Sequence, residues 1–368
     1  MKQFDPVPHF AATYAEARDK FIAASNERGL PIRRHVHPTA RGADGEELSI
    51  DVATIGSHDA SRVLLLTSAT HGVEGFCGSG CQVALLHDDE FFDGAAASGV
   101  RIVLLHALNP YGFSHLRRTN EDNVDLNRNF RDFSTAPSPH RAYADVHDFM
   151  VPPTWLPTAE NELRIGAYIA AHGQPALQEA VSGGQCEYPD GLFYGGVRPA
   201  WSNTVLRQVL REEGSRCNAL GLIDFHTGLG PRGHGEKIFT GKANPADLAR
   251  ARAWWGEDVT SFHDGSSTSA PLTGVNYNAI YDECSQATYA GIALEFGTLS
   301  FGDVLQALRA DQWLANHAEA PPAQRASIKR DIRDAFFQDA DDWKTMVYAQ
   351  AKTASSRALA ALSGISPV

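Results

Sequence analysis

Four short segments of this chain are almost continuously apolar: 63–67 (VLLLT), 101–107 (RIVLLHA), 220–225 (LGLIDF) and 291–296 (GIALEF). A strand of that kind is apolar on both faces and folds only where both faces are covered. Residues 48–55 read as a further, half-buried strand. Helical patterns fall between and around these segments, over 9–28, 76–87, 160–181, 202–213, 245–260 and 326–362. In the first, Phe10, Tyr14, Ala17, Phe21 and Ala24 recur at helical spacing; in the last, Ile332, Phe336, Trp343 and Val347 share a face. Buried strands alternating with helices predict an α/β fold, a mixed, mostly parallel central sheet with helices on both faces. With 368 residues and no internal repeat, the expectation is one domain over 1–368. Region 131–200, rich in Pro and Gly, reads as an insertion that forms a lid or pocket wall.

Composition removes several classes. The net charge of −12 argues against nucleic-acid and anionic-membrane partners. No run of eighteen apolar residues offers a membrane span. The first residues, MKQFDPVPHF, lack the apolar core of a secretory signal. Five cysteines without framework spacing fit reduced thiols and a cytoplasmic protein, with Cys77 and Cys81 as small buried residues. Oligomeric state is not encoded in any pattern we can read.

In an open α/β sheet, ligands bind beyond the carboxyl ends of the strands. After 63–67 comes His71-Gly-Val-Glu74, whose imidazole and carboxylate can converge within one turn, a usual donor pair for zinc. Chance alone predicts ~0.7 such pairs in this composition. A second, His87-Asp-Asp-Glu90, sits among acidic residues and reads as a solvated face. After 220–225 comes His226, either a third ligand or a hydrogen-bonded structural residue. Asp224 lies two residues earlier, on the same strand face. The stretch after 101–107 gathers Asn109, Arg117, Arg118, Asn120, Asp125, Asn127, Arg128 and Asn129 beside apolar residues. Glu295 is the one carboxylate within its apolar strand, expensive there unless paired or functional.

Other motifs carry less. Gly228-Leu-Gly-Pro-Arg-Gly233 matches a dinucleotide fingerprint in letters, but Pro231 argues against the helix that motif needs. There is no G-x-S-x-G, which weakens a serine hydrolase reading. His35 and His37 read as surface positions of a strand.

The ordered set, H-x-x-E at 71–74, Asn109-Pro-Tyr-Gly112, Val124-Asp-Leu-Asn-Arg-Asn-Phe130, Asp224-Phe-His226 and Glu295, resembles the zinc carboxypeptidase family over roughly residues 48–300. Its details look more like a functionally obscure bacterial branch, related to the aspartoacylase and succinylglutamate desuccinylase group. The resemblance implies zinc held by His71, Glu74 and His226. It implies Asp125 behind the first histidine, and Asn127 and Arg128 on the substrate carboxylate. Arg118, with Arg117 as the alternative, would polarise the scissile carbonyl, and Glu295 would be the general base and acid. The family's mobile tyrosine falls among Tyr277, Tyr281 and Tyr289. The implied activity is that of a metallopeptidase, a zinc hydrolase acting on a peptide. The rivals are an N-acyl amino acid deacylase and a non-catalytic zinc- or peptide-binding protein.

Overall fold

The computed structural model describes residues 4–364; the expected domain of 1–368 and the leading Met-Lys-Gln extend beyond them. Seven strands form one sheet: β1 (Ile32–Arg41), β2 (Glu47–Ile55), β3 (Arg62–Thr67), β4 (Arg101–His106), β5 (Ala219–Arg232), β6 (Gly235–Phe239) and β7 (Thr288–Gly297). The order is β1-β2-β4-β3-β5-β7-β6. The inner strands β4, β3, β5 and β7 run parallel, while β1, β2 and β6 add antiparallel edges. The parallel strands are the apolar segments of the sequence, as burial on two faces requires.

Helices α1 (Tyr14–Glu27), α2 (Gly75–His87), α3 (Asp89–Ala97) and α4 (Pro110–Ser114) lie in the first part of the chain. The region 131–200 holds α5 (Arg141–Met150), α6 (Ala159–His172) and α7 (Gln174–Ser182). Beyond it come α8 (Trp201–Gly214), α9 (Pro245–Trp255), α10 (Asn278–Glu283), α11 (Phe301–Asn316), α12 (Pro322–Phe336) and α13 (Asp341–Ser363). One face of the sheet packs on α1, α2, α9 and α13 through Phe21, Phe76, Trp255 and Trp343. The other packs on α8 and α10 through Val205, Val209 and Ile280. Helices α5 and α7 join α11 and α12 in a third apolar cluster around Tyr143, Phe193, Leu305 and Phe336.

Several boundaries differ from the sequence pattern, each for a local reason. Gly173, at φ 87°, divides the expected helix 160–181 into α6 and α7. Gly256, at φ 110°, ends α9 early. The long helix expected over 326–362 is two, because Phe337 turns extended and enters the core. The edge strand β6 and helix α11 lie outside the segments read from the sequence. His37, expected at the surface, is buried: it stacks edge-on against Trp201 and bonds Glu121 at 3.0 Å. Residues 228–233 continue β5 into a turn and form no helix.

Candidate active site

The parallel strands deliver their side chains to one end of the sheet. Register pairs Thr67 with Asp224 and His226 with Glu295. Neighbouring strands lie about 4.8 Å apart, so His226 and Glu295 stand side by side. Side chains alternate along a strand, which puts Asp224 on the same face as His226. His71 and Glu74 come from the turn after β3, held by Gly72 N–H donating to Arg118 O (3.1 Å) and Val73 N–H donating to Arg117 O (2.8 Å).

His71, Glu74 and His226 converge, their donor atoms all within 4.8 Å of one another and all three residues buried. The two Nδ1 atoms face each other at 3.2 Å. Glu74 lies between them, with Oε1 2.9 Å from His71 Nδ1 and Oε2 3.0 Å from His226 Nδ1. Behind each ring stands a buried aspartate. His226 Nε2 is 2.7 Å from Asp224 Oδ2, and His71 Nε2 is 3.2 Å from Asp125 Oδ1. Thr67, Thr70 and Asn276 each donate to Asp224 and hold it in place.

This donor set fits a divalent cation. Protons on both Nε2 atoms leave both Nδ1 lone pairs aimed at the point that Glu74 also faces. Arg118 Nη2 stands 2.8 Å from His71 Nε2, so the tautomer decides which neighbour that nitrogen engages. Bare, it accepts from Arg118; protonated, it donates to Asp125, and a cation on Nδ1 requires the second. Arg118 also donates to Asp125 Oδ2 (2.9 Å) and to Glu74 Oε1 (3.0 Å).

The electrostatics follow from burial. Burial alone would push Glu74 up, but His71 and His226 outweigh it and hold its carboxyl well below the usual range. Asp125 is likewise penalised by burial and held low by Arg118 and His71. Glu295 has no such partner: burial and the nearby charge of Glu74 push its carboxyl up to about 8, against the pull of His226. Its Oε1 accepts one bond, from Leu229 N–H at 3.0 Å.

A cavity of about 130 Å³ opens over these groups, lined also by Asn127, Arg128 and Tyr277. Burial lowers Arg128 to about 10. Three of its five N–H groups go to Ser182 O and Asn127 O, and the other two make no hydrogen bond among the described residues. Asn127 Oδ1 accepts from Asn276 N–H at 2.9 Å. The Tyr277 hydroxyl makes no hydrogen bond among the described residues.

Three expected residues are not brought to the cavity. Arg117 points away and pairs with Asp311 at 3.1 Å, because Asp311 and Lys329 form a buried ionic cluster on that side. Tyr281 stacks edge-on against Tyr277 and Tyr289 and accepts from Lys242 N–H, outside the lining. Tyr289 is buried in the sheet and bonded to Thr240. Sequence reasoning missed Asn276, Thr67, Thr70 and Ser182. Each acts through contacts with residues far away in the chain, and none has a local pattern that marks it.

The family model of DUF2817, a protein of unknown function, matches residues 10–350. No curated protein matches the chain. Similar solved structures include bovine thrombin-activatable fibrinolysis inhibitor in complex with tick carboxypeptidase inhibitor, at 12% identity and TM-score 0.47 over 95% of this chain and 97% of that one. Another is carboxypeptidase A from Helicoverpa armigera, at 14% identity and TM-score 0.44 over 88% and 73%. A third is murein-tripeptide amidase MpaA from Escherichia coli O157, at 16% identity and TM-score 0.38 over 81% and 96%. At these identities nothing about activity passes from those proteins to this one.

Proposed function

The chain belongs to the DUF2817 family, and from its own site we propose that it is a zinc-dependent hydrolase that cleaves an amide bond next to a free carboxylate, in a peptide or an N-acyl amino acid. The observation that carries this reading is the convergence of His71, Glu74 and His226 beside Glu295, a buried carboxylate in register with the second histidine. Two imidazoles and one carboxylate with a remaining open position are the donor pattern of catalytic zinc.

Zinc held by these three residues would polarise the amide carbonyl and make a nearby water more acidic. Glu295 takes the proton from the attacking water and delivers it to the leaving amine. A base with a pKa near the working pH suits both transfers, and burial tunes Glu295 in that direction. Arg118 faces the negative charge that grows on the carbonyl oxygen. Arg128 and Asn127 hold the substrate carboxylate, so that the scissile carbon meets the water in a fixed geometry. Reduced cysteine usage supports the cytoplasm as its compartment, and no helix among the described residues is long and apolar enough to cross a membrane.

Elemental analysis and hydrolysis assays test this together. The purified protein is expected to carry one zinc per chain and to release free amino acid from N-acyl or dipeptide substrates. His71→Ala is expected to lose both metal and turnover. A protein that binds zinc and hydrolyses none of these compounds would refute the catalytic reading and favour a binding role.

A further inference from the structure

We infer that Asn276 is a positioning residue that couples carboxylate recognition to the metal centre: through it, a free carboxylate held by Asn127 and a metal held by His226 strengthen each other's binding; this rests on the proposed hydrolase reading. Asn127 is fixed from two sides. Its backbone N–H donates to Asp125 Oδ1 at 2.9 Å, and that same oxygen stands 3.2 Å from His71 Nε2. Its side-chain oxygen accepts from the Asn276 N–H at 2.9 Å. A backbone N–H can only donate, so the Asn127 amide has one orientation, with Nδ2 left as the donor for a ligand in the cavity it lines. Asn276 carries the connection onward. It is buried, and its Nδ2 donates to Asp224 Oδ2 at 2.7 Å. The same Asp224 oxygen is 2.7 Å from His226 Nε2. One run of hydrogen bonds thus joins the amide assigned to the substrate carboxylate to the acceptors behind both imidazoles.

The middle of this run is irregular backbone. Residues 272–277 belong to no helix or strand, and the segment is held by bonds such as Phe130 N–H to Gly274 O (2.8 Å) and those of Asn276 itself. A carboxylate on Asn127 Nδ2 orders Asn127 and, through its Oδ1, Asn276. A metal on His226 orders Asp224 and, through its Oδ2, Asn276 again. Whichever arrives first leaves less ordering for the second, which is positive cooperativity without a change of shape. By linkage the effect is the same in both directions. Carboxylate and cation also attract each other through space, but that share does not pass through the Asn276 side chain.

The test measures zinc affinity of the full chain by competition with a chelator, alone and with saturating 3-phenylpropanoate, which offers a carboxylate and no amide to cleave. The neutral 3-phenylpropanamide is the control. The acid is expected to tighten zinc by about fivefold or more, and the amide to have no such effect. Asn276→Ala keeps the backbone N–H on Asn127 and removes the bond to Asp224. In it the factor between zinc affinity with and without the acid is expected to fall at least about threefold, whatever the affinity of the variant for zinc alone. Hydrogen exchange on the parent protein needs no variant: zinc and the acid, each added alone, are expected to slow exchange of the 275–277 amides. If the acid tightens zinc equally in the parent and in Asn276→Ala, the two act through space and the inference is overturned, while the hydrolase reading stands on its own assays. An acid without effect on zinc, or exchange at 275–277 that neither partner slows, overturns it as well. If the chain binds no zinc, the hydrolase reading falls and takes the inference with it.

Discussion

Two imidazoles can share one cation through Nδ1 only if each carries its proton on the far nitrogen, and Asp125 and Asp224 fix that proton. Partners of this kind typically contribute 10–100-fold in metal affinity. Asp224→Asn is therefore expected to weaken zinc binding by about that factor, measured by competition with a chelator, while Thr67, Thr70 and Asn276 keep the side chain in place. Glu295→Gln is expected to keep the metal and lose ~10²–10⁴ in turnover. The ascending limb of its kcat/KM profile should vanish. In the parent protein that limb marks deprotonation of Glu295 and lies below about 8, since a divalent cation lowers the value set by burial and Glu74. The residues with this chemistry were legible because each sits at the end of an apolar strand or in a dense polar run, where side chains of that cost stand out. Asn276 was not legible, because its role exists only once the segment after α9 folds back beside Asn127. Arg117 and Arg118 are adjacent in sequence, and only the Asp311 cluster decides which of them turns outward.

At the level of elements, the region 131–200 serves the site through its last helix. Ser182 closes α7, where last-turn carbonyls lack partners within the helix, and its oxygen accepts both Nε and Nη2 of Arg128 at 3.0 and 2.6 Å. Gly184, at φ 100°, leaves the room: a Cβ there would stand 2.6 Å from Arg128 Cδ. Gly184→Ala should push the guanidinium aside and raise KM by about tenfold with a smaller change in kcat, the signature of lost ground-state binding. Substrates whose carboxylate is replaced by an amide should not feel the change. The region read as an insertion from its Pro- and Gly-rich composition holds α5 to α7, whose packing on α11 and α12 depends on apolar partners more than a hundred residues away. Helices α11 and α12 are tied to the Arg118 loop by Asp311, which bonds Arg117 and Lys329. Burial would raise Asp311, yet those cations hold it below its usual range. A carboxylate depressed in the folded state stabilises fully above its unfolded pKa and loses that contribution as pH falls through the folded one. Asp311→Asn should therefore flatten the acid side of the stability–pH curve, measured by urea unfolding.

Across the whole molecule, the sheet sets the site and the helices set its walls. The parallel strands were evident in the sequence because burial on two faces leaves no room for polar alternation. The edge strands β1 and β6 were less so, since an edge tolerates mixed composition. The His71–Glu74 turn, His226 and Glu295 are far apart in the chain and meet only through pairing of β3 with β5 and of β5 with β7. Parallel pairings of such long sequence separation form slowly. In a refolding experiment the recovery of tight metal uptake should therefore lag behind the recovery of helical signal, and the ion becomes a reporter of when the last distant strand has found its neighbour.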